Sequence, residues 1–129
     1  MIRLTKEQIV ALHEILLAEH GGMRGIRNES LLDSALNAPF QTFDSVDLYP
    51  TLIDKAACLC YGLVNNHAFN DGNKRIGVLA MAMFLIHNGY PLECSDDNLE
   101  YLGLGVASGK LNQNDVLRWI KEKGGARSL

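Results

Sequence analysis

Nine consecutive residues, His67-Ala68-Phe69-Asn70-Asp71-Gly72-Asn73-Lys74-Arg75, collect the side chains that phosphate chemistry needs. Gly72 and Asn73 stand where a helix is expected to begin. Free backbone amides and the positive end of the helix dipole make such a start an anion site. Glycine there lets the backbone approach a ligand closely. Arg75 can grip phosphate through two parallel hydrogen bonds, and Lys74 adds a point charge. Asp71 is an acid among cations, the usual way to seat Mg²⁺ beside phosphate oxygens. His67, four residues earlier, can take a proton from an attacking hydroxyl as a neutral imidazole. Phe69 alternates with these polar groups and is expected to anchor the loop in the core. Singly, Asp71-Gly72 reads as a turn, Lys74 and Arg75 as solvated residues, and His67 as a helix-end or surface group. Their combination at the mouth of the most apolar helix points to a nucleoside triphosphate.

Helical spacing of apolar residues sets the elements that must hold this loop. Thr5 and Gln8 make a capping box for a first helix, with Leu4 and Ile9 in the staple positions. Ile9, Leu12 and Leu16 are expected to share its inner face, and Gly21-Gly22 to end it. Asn28 caps a second helix through Leu31, Leu32, Ala35 and Leu36, stopped before Pro39. Residues 40–50 form the longest irregular stretch. Its aromatics, Phe40 and Phe43, either belong to a binding flap or tuck into the core. A third helix spans about Thr51 to Asn66. The fourth starts near Asn73, and from Ile76 to Ile86 it has no charge. A helix apolar on every side is surrounded by the others. It ends at Asn88-Gly89. Residues Tyr90 to Cys94 are briefly extended. Ser95 then caps a fifth helix ended at Gly109, and Asn112 a sixth with Val116, Leu117 and Ile120 on one side. The fold class is therefore all-α: a compact bundle of about six helices around a central hydrophobic helix at residues ~74–88, with one domain over 1–125 and a frayed tail at 126–129.

The totals fit that reading. A chain of 129 residues, 47% hydrophobic and 21% charged, suits one soluble domain with a single core. A formal net charge of −3 argues against a duplex-DNA surface, which shows a basic face. Cys58, Cys60 and Cys94 have neither a disulfide nor a zinc pattern, so buried free thiols in a reducing cytoplasm are expected. No signal peptide is legible at the N-terminus, and the longest uncharged run is too short to span a membrane.

The nine-residue motif closely resembles the Fic signature: histidine, any, phenylalanine, any, acid, glycine, asparagine, any, arginine. Lysine at 74 resembles the Doc branch, the death-on-curing toxins of toxin–antitoxin modules. Weaker likenesses lie in the right order at Thr5-x-Glu7-x-Ile9-x-x-Leu12-His13, Gly21-Gly22-x-Arg24-Gly25, Leu31 to Leu36 and Ala107 to Lys110. The resemblance implies a fold of about six helices. It implies His67 as base, Asp71 as Mg²⁺ ligand, and Gly72, Asn73, Lys74 and Arg75 as a phosphate cradle for ATP. Typical Fic proteins have glycine where Lys74 stands and transfer AMP to a protein hydroxyl. In Doc-like proteins the lysine reshapes the site so that the γ-phosphate is transferred, with elongation factor Tu as the family's target. Many Fic proteins carry a second arginine three residues after the first, and here that position is Val78. Glu7, Glu14 and Glu19 do not lie in the context of a self-inhibitory helix, so restraint would come from a Phd-like antitoxin segment laid across the domain. Three readings stand: a protein kinase of the Doc type, an AMP transferase using the same loop, and a degenerate anion- or partner-binding module.

Overall fold

A run without charge at 76–86 leaves a helix no polar face to show to water, and the chain places it at the centre. In the computed structural model, which describes residues 1–124, this helix is α4, Asn73–His87. Its buried residues, Ile76, Gly77, Val78, Ala80, Met81, Ala82, Phe84 and Leu85, take up most of its circumference, with Leu79 and Met83 half-buried and Ile86 exposed on the remaining side. Helices α1 (Lys6–His20), α3 (Leu52–Asn65) and α5 (Asp96–Ala107) pack on it, while α2 (Glu29–Asn37) and α6 (Gln113–Lys123) pack on α3. The all-α expectation holds, with six α-helices among the described residues. The expected tail at 126–129 lies outside them.

The most extensive helix pairing, α3 on α4, depends on one residue. A Cβ on Gly77 would stand 2.5 Å from Val64 Cγ2 and 3.2 Å from the Cys60 carbonyl oxygen, so only glycine lets α4 lie this near to α3. Local signals set the helix starts. Thr5/Gln8, Thr51/Asp54, Ser95/Asn98 and Asn112/Asp115 all close reciprocal capping boxes, and the Asn28 side chain accepts from the Leu31 amide. Each such cap stabilises its helix by about 1 kcal/mol.

Two expectations need correction. The buried line of α1 is Ile9, His13 and Leu17, with Leu12 and Leu16 only half-buried. The helix is rotated because His13, a polar residue, finds partners in the interior. Helix α2 does stop before Pro39, as expected, and the chain then tightens into a 3-10 turn, Ala38–Phe40. Residues 40–50 are not wholly irregular. Strands β1 (Thr42–Phe43) and β2 (Val46–Asp47) pair antiparallel across Asp44 and Ser45, whose φ angles of 52° and 65° make a primed hairpin turn. The two aromatics part company. Phe40 packs edge-on against Phe84, 6.0 Å between centroids, under the Arg3 guanidinium, whereas Phe43 on the hairpin is 71% exposed. Lys55, buried on α3, donates to Asp47 Oδ2 at 3.1 Å and to the Tyr49 carbonyl, tying the hairpin base to the core.

The stretch Tyr90 to Cys94 forms no strand of its own. Leu92 makes a single antiparallel bridge with Gly124, and the Glu93 amide donates to Lys123 O at 2.6 Å. All three cysteines are free thiols. Burial pushes the Cys60 thiol up to about 12, so it stays protonated. Among the described residues no helix is long and apolar enough to cross a membrane.

Candidate active site

Six residues, 67–72, join the cap of α3 to the start of α4. Ala68 and Phe69 turn inward and are buried, while His67, Asn70 and Asp71 stay exposed. Phe69, 1% exposed, stacks on the His13 ring with centroids 3.8 Å apart and planes at 17°. His13 Nε2 lies 2.7 Å from the Asp71 carbonyl oxygen. A carbonyl only accepts, so Nε2 carries the proton and donates. The Asn73 side chain closes the turn from the other end. Its Oδ1 accepts from the Phe69 amide and its Nδ2 donates to Phe69 O, both at 3.1 Å. Asn73 was expected in the phosphate cradle. Its side chain is committed to this inward clasp, which leaves its backbone amide for a ligand.

A second segment, 22–28, runs beside the motif and was not anticipated as part of the site. Ile26 bridges Phe69, and the amides of Arg27 and Asn28 donate to Ala68 O at 2.7 and 3.0 Å. The Asn70 amide donates to Gly25 O at 3.1 Å, and Asn70 Nδ2 to Arg24 O at 2.9 Å. The Met23 amide donates to Asp71 Oδ2 at 2.5 Å. Arg27 Nε donates to the carbonyl of His67 at 2.8 Å. The readable signal was the glycine-rich run Gly21-Gly22-x-x-Gly25, since a backbone that threads so close to another needs small residues.

Gly72, in the left-handed conformation at φ 79°, caps α4 without any side-chain hydrogen bond. The first helical bond runs from the Ile76 amide to Gly72 O. The amides of Asn73, Lys74 and Arg75 therefore precede every intrahelical partner and face outward with the dipole. Lys74 and Arg75 are exposed and make no ion pair among the described residues. Asp71 Oδ1 likewise accepts no hydrogen bond among them. His67 is exposed with φ 52°, and its imidazole makes no hydrogen bond there either. This donor set suits a triphosphate and a divalent cation: open amides and two unpaired cations for phosphate oxygens, and one spare carboxylate oxygen for a metal that keeps most of its waters. Val78 offers nothing to it. That side chain is buried against α5, where a Cβ on Gly103 would lie 3.5 Å from Val78 Cγ1. Shape alone would have pointed elsewhere, because a cleft of about 270 Å³ lies between Arg3-Leu4-Thr5-Lys6 and Asp33, Leu36 and Asn37, away from the motif.

A helical domain whose central helix opens on free amides and two exposed cations, with an exposed histidine at the edge, defines a narrow class. Residues 3–85 match the Fic/DOC family, a stretch that takes in α1 to α3, the motif and nearly all of α4. The chain is 46% identical over 94 residues to "Toxin Doc" of Mycolicibacterium smegmatis, covering 73% of this chain and 70% of that protein. It is 25% identical over 116 residues to "Protein kinase doc" of Escherichia phage P1, covering 90% of each. The chain belongs to the Fic/DOC family.

Proposed function

We propose that this chain is a toxin of the Doc type, a protein kinase that moves the γ-phosphate of ATP to a Ser or Thr hydroxyl. The observation that carries the reading is the open start of α4, where Lys74 and Arg75, without an ion pair among the described residues, stand beside free amides. The relative named protein kinase doc supports it. So does Val78, which puts a buried aliphatic side chain where AMP-transferring relatives hold an arginine for phosphate.

In this mechanism the amides of Asn73, Lys74 and Arg75, with the Lys74 and Arg75 side chains, hold the phosphate oxygens. Asp71 Oδ1 would hold Mg²⁺, which supplies positive charge against the phosphates when bound. His67, as neutral imidazole, takes the proton of the target hydroxyl. The hydroxyl oxygen bonds to the γ-phosphorus, the bond from that phosphorus to the β-phosphate oxygen breaks, and ADP leaves. The chain supplies placement, cations and a base rather than covalent chemistry. Elongation factor Tu is the target this family resemblance favours, and growth arrest through blocked translation in the cytoplasm is the outcome. A Phd-like antitoxin, contributing a helical segment, would restrain it.

Incubating the chain and elongation factor Tu with α-labelled and γ-labelled ATP in separate reactions tests the proposal. Label on protein from the γ position alone supports it, and label from the α position assigns AMP transfer instead. No transfer from either position, with growth arrest undiminished by His67→Ala, assigns a binding module.

A further inference from the structure

His67 occupies the left-handed backbone region, φ 52°, which a side chain with a β-carbon disfavours by about 1–2 kcal/mol. Such a residue persists only where its surroundings hold it, and functional sites are where that happens. A base is ordinarily oriented by a third group on its ring. The His67 ring has no such partner among the described residues, so the contacts that define this position fall on backbone. Arg27 Nε–H donates to His67 O at 2.8 Å, and the next carbonyl, of Ala68, accepts from the amides of Arg27 and Asn28. The bond from the guanidinium is charge-assisted and therefore the stronger kind. Arg27 makes no ion pair among the described residues, and its side chain is exposed.

We propose that Arg27 is the positioning residue for His67, acting through the His67 carbonyl to hold the left-handed backbone from which the imidazole projects. The inference rests on His67 being the base of the proposed transfer. Without the Arg27 guanidinium, water takes over the carbonyl, since both groups are exposed. The fold then loses little. The backbone at 67 is free to relax to negative φ, and the Cβ swings away from its present direction. A misplacement of about 1 Å at a reacting group lowers the rate about a hundredfold.

Arg27→Ala and Arg27→Lys in the full chain test this with three readouts: the thermal midpoint, kcat and KM for ATP in the labelled transfer, and the ¹³Cα and ¹³Cβ NMR shifts of His67. For Arg27→Ala, kcat should fall about ten- to a hundredfold while KM stays within about twofold. The midpoint should hardly move, and the His67 shifts should leave their left-handed values. Arg27→Lys should recover part of kcat. An unchanged kcat, a raised KM with kcat intact, or a loss of kcat without any change at His67 would each overturn the proposal. If the parent chain transfers nothing, the proposed reaction fails by itself. The His67 shifts then still decide the positioning role, because unchanged shifts in Arg27→Ala remove it.

Discussion

The imidazole of His13 lies flat on the ring of Phe69, 3.8 Å between centroids, while its Nε2–H donates to the carbonyl of Asp71. One side chain on α1 thus grips both the inward anchor of the motif and the backbone of its acid. His13 and Asp71 are 58 residues apart in sequence. The contact also explains why a histidine can be 1% exposed: its polar edge is satisfied and its face is covered.

Replacing His13 by Ala should remove the stack, open a cavity and leave the Asp71 carbonyl without its donor. A loss of about 2–4 kcal/mol is expected, the sum of a truncated buried ring and a broken buried hydrogen bond. Urea denaturation checks it. His13→Phe keeps the ring and should recover the packing part alone. Equal stability of His13→Ala and the parent would contradict the grip.

His67→Ala should abolish transfer and relieve growth arrest while leaving stability within about 0.5 kcal/mol, because the side chain is exposed and makes no hydrogen bond among the described residues. Circular dichroism melts alongside the γ-label assay read both effects. A variant that melts early, or one that still transfers, would speak against the assigned role.

Gly77→Ala should drive a methyl group into Val64 and the Cys60 carbonyl, which stand 2.5 and 3.2 Å from its Cβ position. Helices α3 and α4 must then separate, at a cost of about 1–3 kcal/mol. Because those helices flank the motif loop, growth arrest should weaken in step with the denaturant midpoint. An unperturbed midpoint would show the two helices can part freely.

Cys60 carries a pH dependence with a definite sign. Its thiol has an ordinary value of 9.0 and is raised to about 12 by burial. A raised folded value means stability that is fully present below pH 9 and lost as pH climbs toward 12, since the unfolded chain deprotonates first. Between pH 8 and pH 10 the parent should lose on the order of 1 kcal/mol from this group alone. Cys60→Ala should show a correspondingly smaller drop over that interval, read by urea titrations at both pH values. Parallel losses in the two proteins would refute the assignment.

What the amino-acid order determined by itself was whatever physical cause lay within a few residues. Capping boxes at Thr5, Thr51, Ser95 and Asn112 are contacts across three positions, so the helix starts were legible. The uncharged run from Ile76 to Ile86 required a central helix whatever surrounded it. The motif from His67 to Arg75 is contiguous, and Gly72 caps α4 where its neighbours suggested. The rest depended on residues far apart in the chain. The hairpin sent Phe43 to solvent, while Phe40, half-buried, packed on Phe84 at the edge of the core. Asn73 could reach Phe69 only once the loop had turned back on itself. Segment 22–28 became a wall of the site by pairing with 68–71. His13, with nothing in its local sequence to bury it, was drawn inside by Phe69 and by a carbonyl that had to be satisfied. Local hydrogen bonds and apolar spacing can be read along a chain. The pairing of a buried polar group exists only after the helices have closed around it.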